Sequence, residues 1–403
     1  MNKLKIINDP VYGLVEIPFE IIFDLIEHPC FQRLRRISQL GLTGLVYPGA
    51  LHTRFHHAIG AMHLMQRAIS TLKSKGVSIS DAEHEAVSIA ILLHDIGHGP
   101  YSHALENSII AVHHEELSVA LMQKLNIEFE GKLSLAIDIF QNIYHRKFFH
   151  QLISGQIDMD RLDYLRRDSF YTGVSEGTVG IDRIIQMLHV KNDELVVEEK
   201  GIYSIEKFIL ARRLMYWQVY FHKTVIAAES LLINILKRAK YLASTGKELF
   251  ATSTMHYFLY NHIDKNMMAN HAEVLDKFSV LDDFDLMASI KEWLYTDDQV
   301  LAMLCQNLAS RKLPKVILQT QPFETEIVKN KTKEWCNKTN LQEADAAYFI
   351  YTDKVSINSY SLEDEISILL KNGQTLPFSE AALAYGFHTM PHPVIKNYIC
   401  FSE

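Results

Sequence analysis

His94 and Asp95 stand side by side in the run Leu92-Leu93-His94-Asp95-Ile96-Gly97-His98-Gly99-Pro100-Tyr101-Ser102-His103, where an apolar stretch gives way to glycine and further histidine. An imidazole and a carboxylate adjacent at a helix terminus can share one cation, because a last turn loosened by glycine lets both side chains converge on one point. The remaining ligands must come from other segments. His57, in Thr53-Arg54-Phe55-His56-His57-Ala58, and Asp160, in Ile157-Asp158-Met159-Asp160-Arg161, have the required types. Two imidazoles and two carboxylates make a borderline-hard set suited to Mn, Fe, Zn, Ni or Mg, with positions left open for water and substrate. Singly, each of these residues is as well explained by a packed histidine or a capping aspartate. Their combination with the glycine-rich turn points to a divalent metal centre.

Three other groupings carry chemistry. Arg161, Tyr164 and Asp168 fall at i, i+3 and i+7, so a base, a phenol and an acid share one helix face beside Asp160. In isolation this segment reads more simply as an exposed face held by Arg166 and Arg167 against Asp163 and Asp168. Arg212, Tyr216 and Tyr220 repeat at i, i+4 and i+8, a face with one anion-binding fork and two rings that suits a phosphate at one end and a sugar or base at the other. Without the other segments such an aromatic stripe is core. His103 and Glu106 lie three apart on a helix expected after Pro100, and His114-Glu115 opens the next helix. A carboxylate beside an imidazole raises its pKa and orients it, which makes these four residues candidates for proton transfer.

The elements that must hold these groups are mainly helical. Ser80 and Glu83 form a capping box that starts the helix running through Ala86, Ile89, Ala90 and Leu93 into His94. Apolar residues recur at helical spacing from Pro18 to about Lys240, preceded by a short hairpin over 5–17 in which Asn8-Asp9-Pro10 and Gly13 mark the turn. Strands are expected at 316–320, 347–351, 366–370 and 397–401, so we read residues 1–300 as a helical body and 301–403 as a smaller α+β lobe. The Lys-rich stretch from Arg311 to Lys333 is a solvated edge of that lobe.

Composition sets the context. The 403 residues are 48% hydrophobic, enough for a large core, and the net charge of -8 argues against a broad nucleic-acid surface. An anionic ligand would need a local cluster of bases. No apolar run reaches the roughly 20 residues of a membrane span and the N-terminus lacks an apolar signal core, so the chain is expected in the cytoplasm, away from membranes. Its four cysteines, Cys30, Cys305, Cys336 and Cys400, are too scattered for a disulfide framework and are expected to be reduced.

Taken in order, these segments resemble the SAM-and-HD-domain deoxynucleoside triphosphate triphosphohydrolases and their bacterial relatives. The resemblance spans about residues 4 to 225: Lys5-Ile6-Ile7-Asn8-Asp9-Pro10, Phe31-Gln32-Arg33-Leu34-Arg35-Arg36-Ile37-Ser38-Gln39-Leu40-Gly41, Tyr47-Pro48-Gly49-Ala50, Arg54-Phe55-His56-His57, the His-Asp segment and the stripe from Asp160 to Asp168. A weaker echo runs from Arg311 to Pro322, and the helical body is expected without a preceding SAM domain. The resemblance implies an HD-domain helical body in which His57, His94, Asp95 and Asp160 hold the metal. It places Arg54, Arg161 and Arg212 on a triphosphate, Gln39 and Asp168 on the sugar 3′-hydroxyl, Leu40 where a 2′-hydroxyl would crowd, and Tyr164 and Tyr220 against the sugar. His103 and His114 would flank the α-phosphate. It also implies a homo-oligomer, dimer or tetramer, and a nucleotide effector contact at Glu27, Gln32 and Arg35, with Glu27 where Asp is usual. A second effector region falls near Glu198, whose charge would repel a triphosphate. His56 stands where the family often has Glu, a departure that bears on hydrogen bonding around the metal.

The expected activity is metal-dependent hydrolysis of a deoxynucleoside triphosphate to deoxynucleoside and inorganic triphosphate. Two alternatives stand beside it. One is a generic HD phosphohydrolase acting on a nucleoside monophosphate, cyclic dinucleotide or alarmone; the other is a catalytically silent nucleotide-binding or nucleic-acid-binding scaffold, supported by the Lys-rich stretch and opposed by the acidic charge.

Overall fold

The computed structural model describes residues 5–402 except 103, 107, 271, 358, 359, 361–363 and 387–393. It opens on the expected hairpin, β1 (Ile6–Asp9) against β2 (Gly13–Glu16), antiparallel with Asp9 opposite Gly13. Asp9 makes the turn: its Oδ1 accepts the N–H groups of Val11 and Tyr12, both at 2.9 Å, and Gly13 supplies the positive φ of +77°.

The body is helical, as expected, and four helices hold its centre. α1 (Arg54–Ser74) starts at a capping box in which Thr53 and His56 bond reciprocally, with His56 Nδ1 accepting the Thr53 N–H at 3.1 Å. His56 is thereby a capping residue of this helix. α2 (Asp81–Leu93) starts at the expected Ser80–Glu83 box and is buried on nearly every side over its last eight residues, as a helix threaded through a core must be. α3 (His114–Glu128) follows a run of turns, and α4 (Met159–Thr172) is capped by Asp158, whose carboxylate accepts the Arg161 N–H at 2.6 Å, and closed by Gly173 at φ +75°. α1 packs against both α2 and α4.

Two local expectations are corrected. The stretch after Pro100 contains no helix among the described residues: Tyr101 and Ser102 take φ of +48° and +61°, held there because the Tyr101 N–H bonds Asp283 Oδ1 at 2.7 Å and Ser102 Oγ accepts from Arg54 Nη2 at 2.9 Å. Strand structure also enters the helical body, where β3 (Leu188–Lys191) and β4 (Glu194–Glu198) pair across Asn192-Asp193, both at positive φ. That Asn-Asp pair between β-branched residues was the available signal. Downstream, α5 (Ile202–Met215) widens into a π-helical turn over Tyr216–Tyr220 before α6 (Lys223–Ser244) begins.

The C-terminal segment forms β5 (Lys315–Gln319), the exposed lysine-bearing helix α7 (Thr325–Thr339), β6 (Ile350–Ile357), β7 (Ser367–Leu369), β8 (Thr375–Pro377) and β9 (Val394–Phe401). β6 starts three residues later than expected, because Ala347 still belongs to the turn closing the short helix Glu343–Ala346. β5, β9 and β6 make one antiparallel sheet. β7 instead pairs parallel with β4, Val197 opposite Ile368, so the second sheet is built from both parts of the chain. One apolar core runs through from Val15 to Phe401. Among the described residues no single helix is long and apolar enough to cross a membrane.

At the centre, Arg167 of α4 is fully buried and bonds Asp163 bidentately, Nε to Oδ2 at 2.9 Å and Nη2 to Oδ1 at 3.0 Å, and Asp9 Oδ2 through Nη1 at 2.8 Å. α1 passes over this ion pair at Gly60, where a Cβ would stand 2.1 Å from both Arg167 Nη2 and Asp163 Oδ1. Gly60→Ala is expected to force the pair apart and to destabilise the protein by about 3 kcal/mol or more, the cost of breaking a buried pair. Urea unfolding measures this; an unchanged midpoint would show that α1 can move off the pair without loss.

Candidate functional site

The C-terminus of α2, the first turn of α1 and the first turn of α4 meet in one place. There His57 Nε2 lies 3.3 Å from His94 Nε2 and 3.0 Å from Asp160 Oδ1, and His94 Nε2 lies 3.6 Å from the same carboxylate oxygen. These three ligand atoms all fall within 4.8 Å of one another. Asp95 borders the group, Oδ2 at 3.7 Å from His57 Nε2 and Oδ1 at 3.5 Å from His94 Nε2, while Arg54 Nη1 donates to its Oδ2 and His98 Nε2 stands 3.2 Å from its Oδ1. All four residues expected to hold a metal are thus brought together.

The surroundings fit a divalent cation. His57 Nδ1 is bonded to Asp163 Oδ2 at 2.7 Å and His94 Nδ1 to the Ile91 carbonyl at 2.7 Å, so each ring turns Nε2 to the common point. Burial works against charge on His57, yet hydrogen bonds and charge from Asp160 and Asp163 outweigh it and push its pKa up to about 10. His94 is raised as well, against its burial, chiefly by Asp95 and Asp160. Asp160 and Asp95 are held below the usual carboxylate range in spite of burial, Asp160 by the two histidines and Asp95 by Arg54 first. The negative field that keeps protons on two buried imidazoles is the field a divalent cation would occupy.

The turn after His94 depends on Gly97. A Cβ there would stand 2.2 Å from the His114 carbonyl, so only glycine lets residues 95–98 lie against the start of α3, where Ser118 Oγ accepts the Gly97 N–H and donates to the His94 carbonyl. This close approach sets His98 flat on His114, ring centroids 3.9 Å apart. His114 Nδ1 is bonded to Glu106 Oε1 at 2.8 Å, and the same oxygen accepts the His114 N–H. Glu106 and His114 are therefore paired by a loop. Glu115 keeps a carboxylate oxygen within 4.8 Å of a His114 ring nitrogen and lines a second cavity of about 470 Å³ with His94, Asp95, His114, His150 and Asp160. His103 lies outside the described residues.

A cavity of about 530 Å³ opens from the cluster, lined there by Arg54, Asp95, His98, His114 and Asp160, and beyond them by Gln39, Leu40, Tyr164, Asp168, Tyr216 and Tyr220. Asp168 is held by His52 Nε2 at 2.8 Å and the Tyr220 hydroxyl at 2.7 Å. Gln39 Oε1 is buried and has no hydrogen-bond partner among the described residues, an acceptor waiting on the cavity wall. The π-helical turn carries Tyr216 and Tyr220, edge to face at 5.2 Å, and Tyr220 meets Tyr164 at 6.3 Å. Burial raises the pKa of both Tyr164 and Tyr220.

Other expected site residues are engaged with neighbours. Arg161 bonds the Gly155 carbonyl and lies 3.6 Å from Asp158, and Arg212 sits over the ring of Tyr216, a cavity-lining residue, at 5.8 Å. Glu27 and Arg35 are exposed, with Arg35 bonded to Gln32 at 2.8 Å and laid over Phe55, and Gln32 bonded to the Ile26 carbonyl at 2.7 Å. Glu198 is bonded to Lys75 at 2.6 Å. The ion pair read as an exposed stripe, Arg167 with Asp163, is buried. His98, Asp163 and His52 are the residues that sequence reasoning missed. Only the repeated histidine after Gly97 flagged His98, and nothing local to Asp163 or His52 shows that each holds another site residue.

The HD domain family matches residues 54–168 and the HD associated region matches 179–252. The first match begins at Arg54 and ends at Asp168, and it contains all four residues of the cluster. A crystal structure of a phosphohydrolase from Bacteroides thetaiotaomicron superimposes with a TM-score of 0.94 over 100% of both chains at 48% identity. A Bacillus subtilis protein, YwfO, is 33% identical over 392 residues, 93% of this chain and 87% of that one. The deoxynucleoside triphosphate triphosphohydrolase SAMHD1 homolog of Dictyostelium discoideum is 31% identical over 266 residues, 61% of this chain and 51% of that protein, about half its length.

Asp163→Asn is expected to weaken divalent-cation binding by about 10–100-fold, because the His57 ring loses the carboxylate that orients it. Equilibrium dialysis with Mn²⁺ measures this. Asp9→Asn is the control, since it removes a partner of Arg167 without touching His57; equal loss in both variants would show that only the fold around Arg167 matters.

Proposed function

We propose that this chain, which belongs to the HD-domain family of phosphohydrolases, hydrolyses deoxynucleoside triphosphates to deoxynucleoside and inorganic triphosphate. One observation carries the reading: a single cavity runs from Asp95 and Asp160 of the His57–His94–Asp95–Asp160 cluster to a polar and aromatic wall of Gln39, Tyr164, Asp168 and Tyr220, chemistry suited to a deoxyribose. The similarity to the Dictyostelium triphosphohydrolase homolog supports the same substrate class.

In this reading His57, His94, Asp95 and Asp160 hold the metal, which when bound supplies Lewis acidity to the phosphate and to the attacking water. Water attacks the α-phosphorus, the bond to the 5′-oxygen breaks, and His114, oriented by Glu106 and stacked on His98, delivers the proton to that oxygen. Arg54, fixed between Asp95 and Ser102, presents positive charge to the growing phosphate charge. Gln39 and Asp168 bind the 3′-hydroxyl, the acid donating nothing and accepting from it. Tyr164 and Tyr220 pack on the sugar. Leu40 offers a 2′-hydroxyl no partner. Arg161 and Arg212 reach the triphosphate only by leaving Gly155 and Tyr216, so the bound state differs from this one at those side chains.

The direct test is turnover of the four deoxynucleoside triphosphates with Mn, Mg, Zn or Fe supplied singly, with products resolved by ion exchange. Inorganic triphosphate is the expected product; release of single phosphates or pyrophosphate would move the chain to another phosphohydrolase chemistry. His114→Ala should retain metal and lose about a hundredfold or more in kcat. A rise in KM alone would place the proton donor elsewhere. Preference for dATP over ATP should reach about a hundredfold, since a buried unpaired hydroxyl is both desolvated and crowded, and Leu40→Ala should narrow it by admitting the ribonucleotide. Equal kcat/KM for the two in the unaltered protein would rule the sugar site out.

A further inference from the structure

His52 is buried, and it touches both residues assigned to the 3′-hydroxyl. Its ring holds Asp168: Nε2 lies 2.8 Å from Oδ1 and is the donor, because a carboxylate only accepts. Its carbonyl holds Gln39, whose N–H donates to it at 3.0 Å beside the bridge between Ser38 and Thr53. The second oxygen of Asp168 accepts from the Tyr220 hydroxyl at 2.7 Å. With one donor on each oxygen the plane of the carboxylate is fixed, and each oxygen keeps a second lone pair for a ligand. The ring that does this is itself locked. It lies flat on Tyr171, centroids 4.5 Å and planes 18° apart, and a Cβ on Gly49 would stand 2.4 Å from the Tyr171 carbonyl, so the segment carrying His52 meets the end of α4 at two points. His52 Nδ1 is buried with no hydrogen-bond partner among the described residues, so the bond to Asp168 is the one the ring is held there to make.

We propose that His52 is a positioning residue for recognition of the sugar 3′-hydroxyl: it fixes the plane of the Asp168 carboxylate and the backbone of Gln39, so that both side chains meet one hydroxyl. The proposal rests on the reading of this cavity as the nucleotide site, and it names the residue on which discrimination between a 3′-hydroxyl and a 3′-hydrogen depends. Without the ring, Asp168 keeps Tyr220 alone and its carboxylate turns about the bond that Tyr220 does not fix. A hydroxyl donating to a carboxylate makes a charge-assisted bond whose strength depends on that direction. A sugar without the 3′-hydroxyl makes no such bond and does not feel the change. The effect of losing His52 is therefore selective among substrates, which the loss of a packing residue is not.

The experiment uses dATP and its 2′,3′-dideoxy analogue, which differ only in the 3′-hydroxyl. kcat/KM for each is measured with Mn²⁺ in the unaltered protein and in His52→Ala, His52→Asn and His52→Gln, and retention of deoxyadenosine and dideoxyadenosine is measured by equilibrium dialysis. The unaltered protein should favour dATP by about tenfold or more, the equivalent of one charge-assisted hydrogen bond, and His52→Ala should bring that ratio close to one through loss on dATP. Glutamine carries an amide N–H at the reach of Nε2 and should restore most of the ratio; the amide of asparagine stops at the position of Nδ1 and should not. Should His52→Ala fail to fold, the asparagine and glutamine variants carry the comparison. Equal losses on both substrates, or asparagine and glutamine variants with the same ratio as the unaltered protein, overturn the proposal and leave the triphosphohydrolase reading standing. A His52-dependent preference for deoxyadenosine with no hydrolysis of any triphosphate does the reverse. Equal treatment of the two nucleosides and of the two triphosphates by the unaltered protein overturns the proposal together with the 3′-hydroxyl assignment.

Discussion

The buried chain Asp9–Arg167–Asp163–His57 is the constraint on which the rest of the site depends. It links the first turn of the protein, α4 and α1 through hydrogen bonds of 2.7 to 3.0 Å. Two carboxylates flank one guanidinium, and the remaining negative charge is turned on His57. A buried ion pair adds little net stability over an apolar replacement, yet removing one member leaves an uncompensated charge inside the protein. The arrangement therefore acts as a registration device: α1 and α4 can cross only where Gly60 leaves room for it, and that crossing also sets His57 against Asp160.

Glycine does the same work at the second crossing. Gly97 lets the turn after α2 touch the backbone of α3, which brings His98 onto His114 and leaves Asp95 between Arg54 and the two imidazoles. The cluster and its neighbouring acid–imidazole pair are thus fixed by two close backbone approaches, neither of which tolerates a side chain. The substrate wall is built differently. The π-helical turn at Tyr216–Tyr220 carries two tyrosines, four residues apart, onto the cavity wall.

α6 connects the cavity to the C-terminal segment. One face carries Glu229, Leu232 and Ile233; the other packs Ile226 and Ala227 on Val316, Tyr398 and Cys400 of the sheet β5-β9-β6. The second sheet adds β7 to β4, joining the C-terminal segment to the helical body. The C-terminal strands back the helix that forms the cavity wall, so substitutions in that sheet reach the cavity through the position of one helix.

The residue types for a metal centre were legible in the sequence because each ligand sits where local rules place it: His94 and Asp95 at the end of a capped helix, Asp160 in the first turn of another, His57 one turn into a third. The helical body, the first hairpin and the C-terminal strands were legible for the same reason, since spacing of apolar residues and turn residues acts within a few positions. The shape at Tyr101 and Ser102 was not, because Asp283 binds the Tyr101 N–H and Arg54 the Ser102 hydroxyl from far away in the chain and override the helical pattern there. Nor were the partners of the chemistry. Arg161 and Arg212 share helical spacing with site residues yet engage neighbours a few positions away, Gly155 and Asp158 for one and the Tyr216 ring for the other, and Asp163 and Arg167, read as surface charges, are buried. Helical periodicity determines which residues share a face; which face meets the cavity, and which charges are buried beside it, is decided only when distant segments pack.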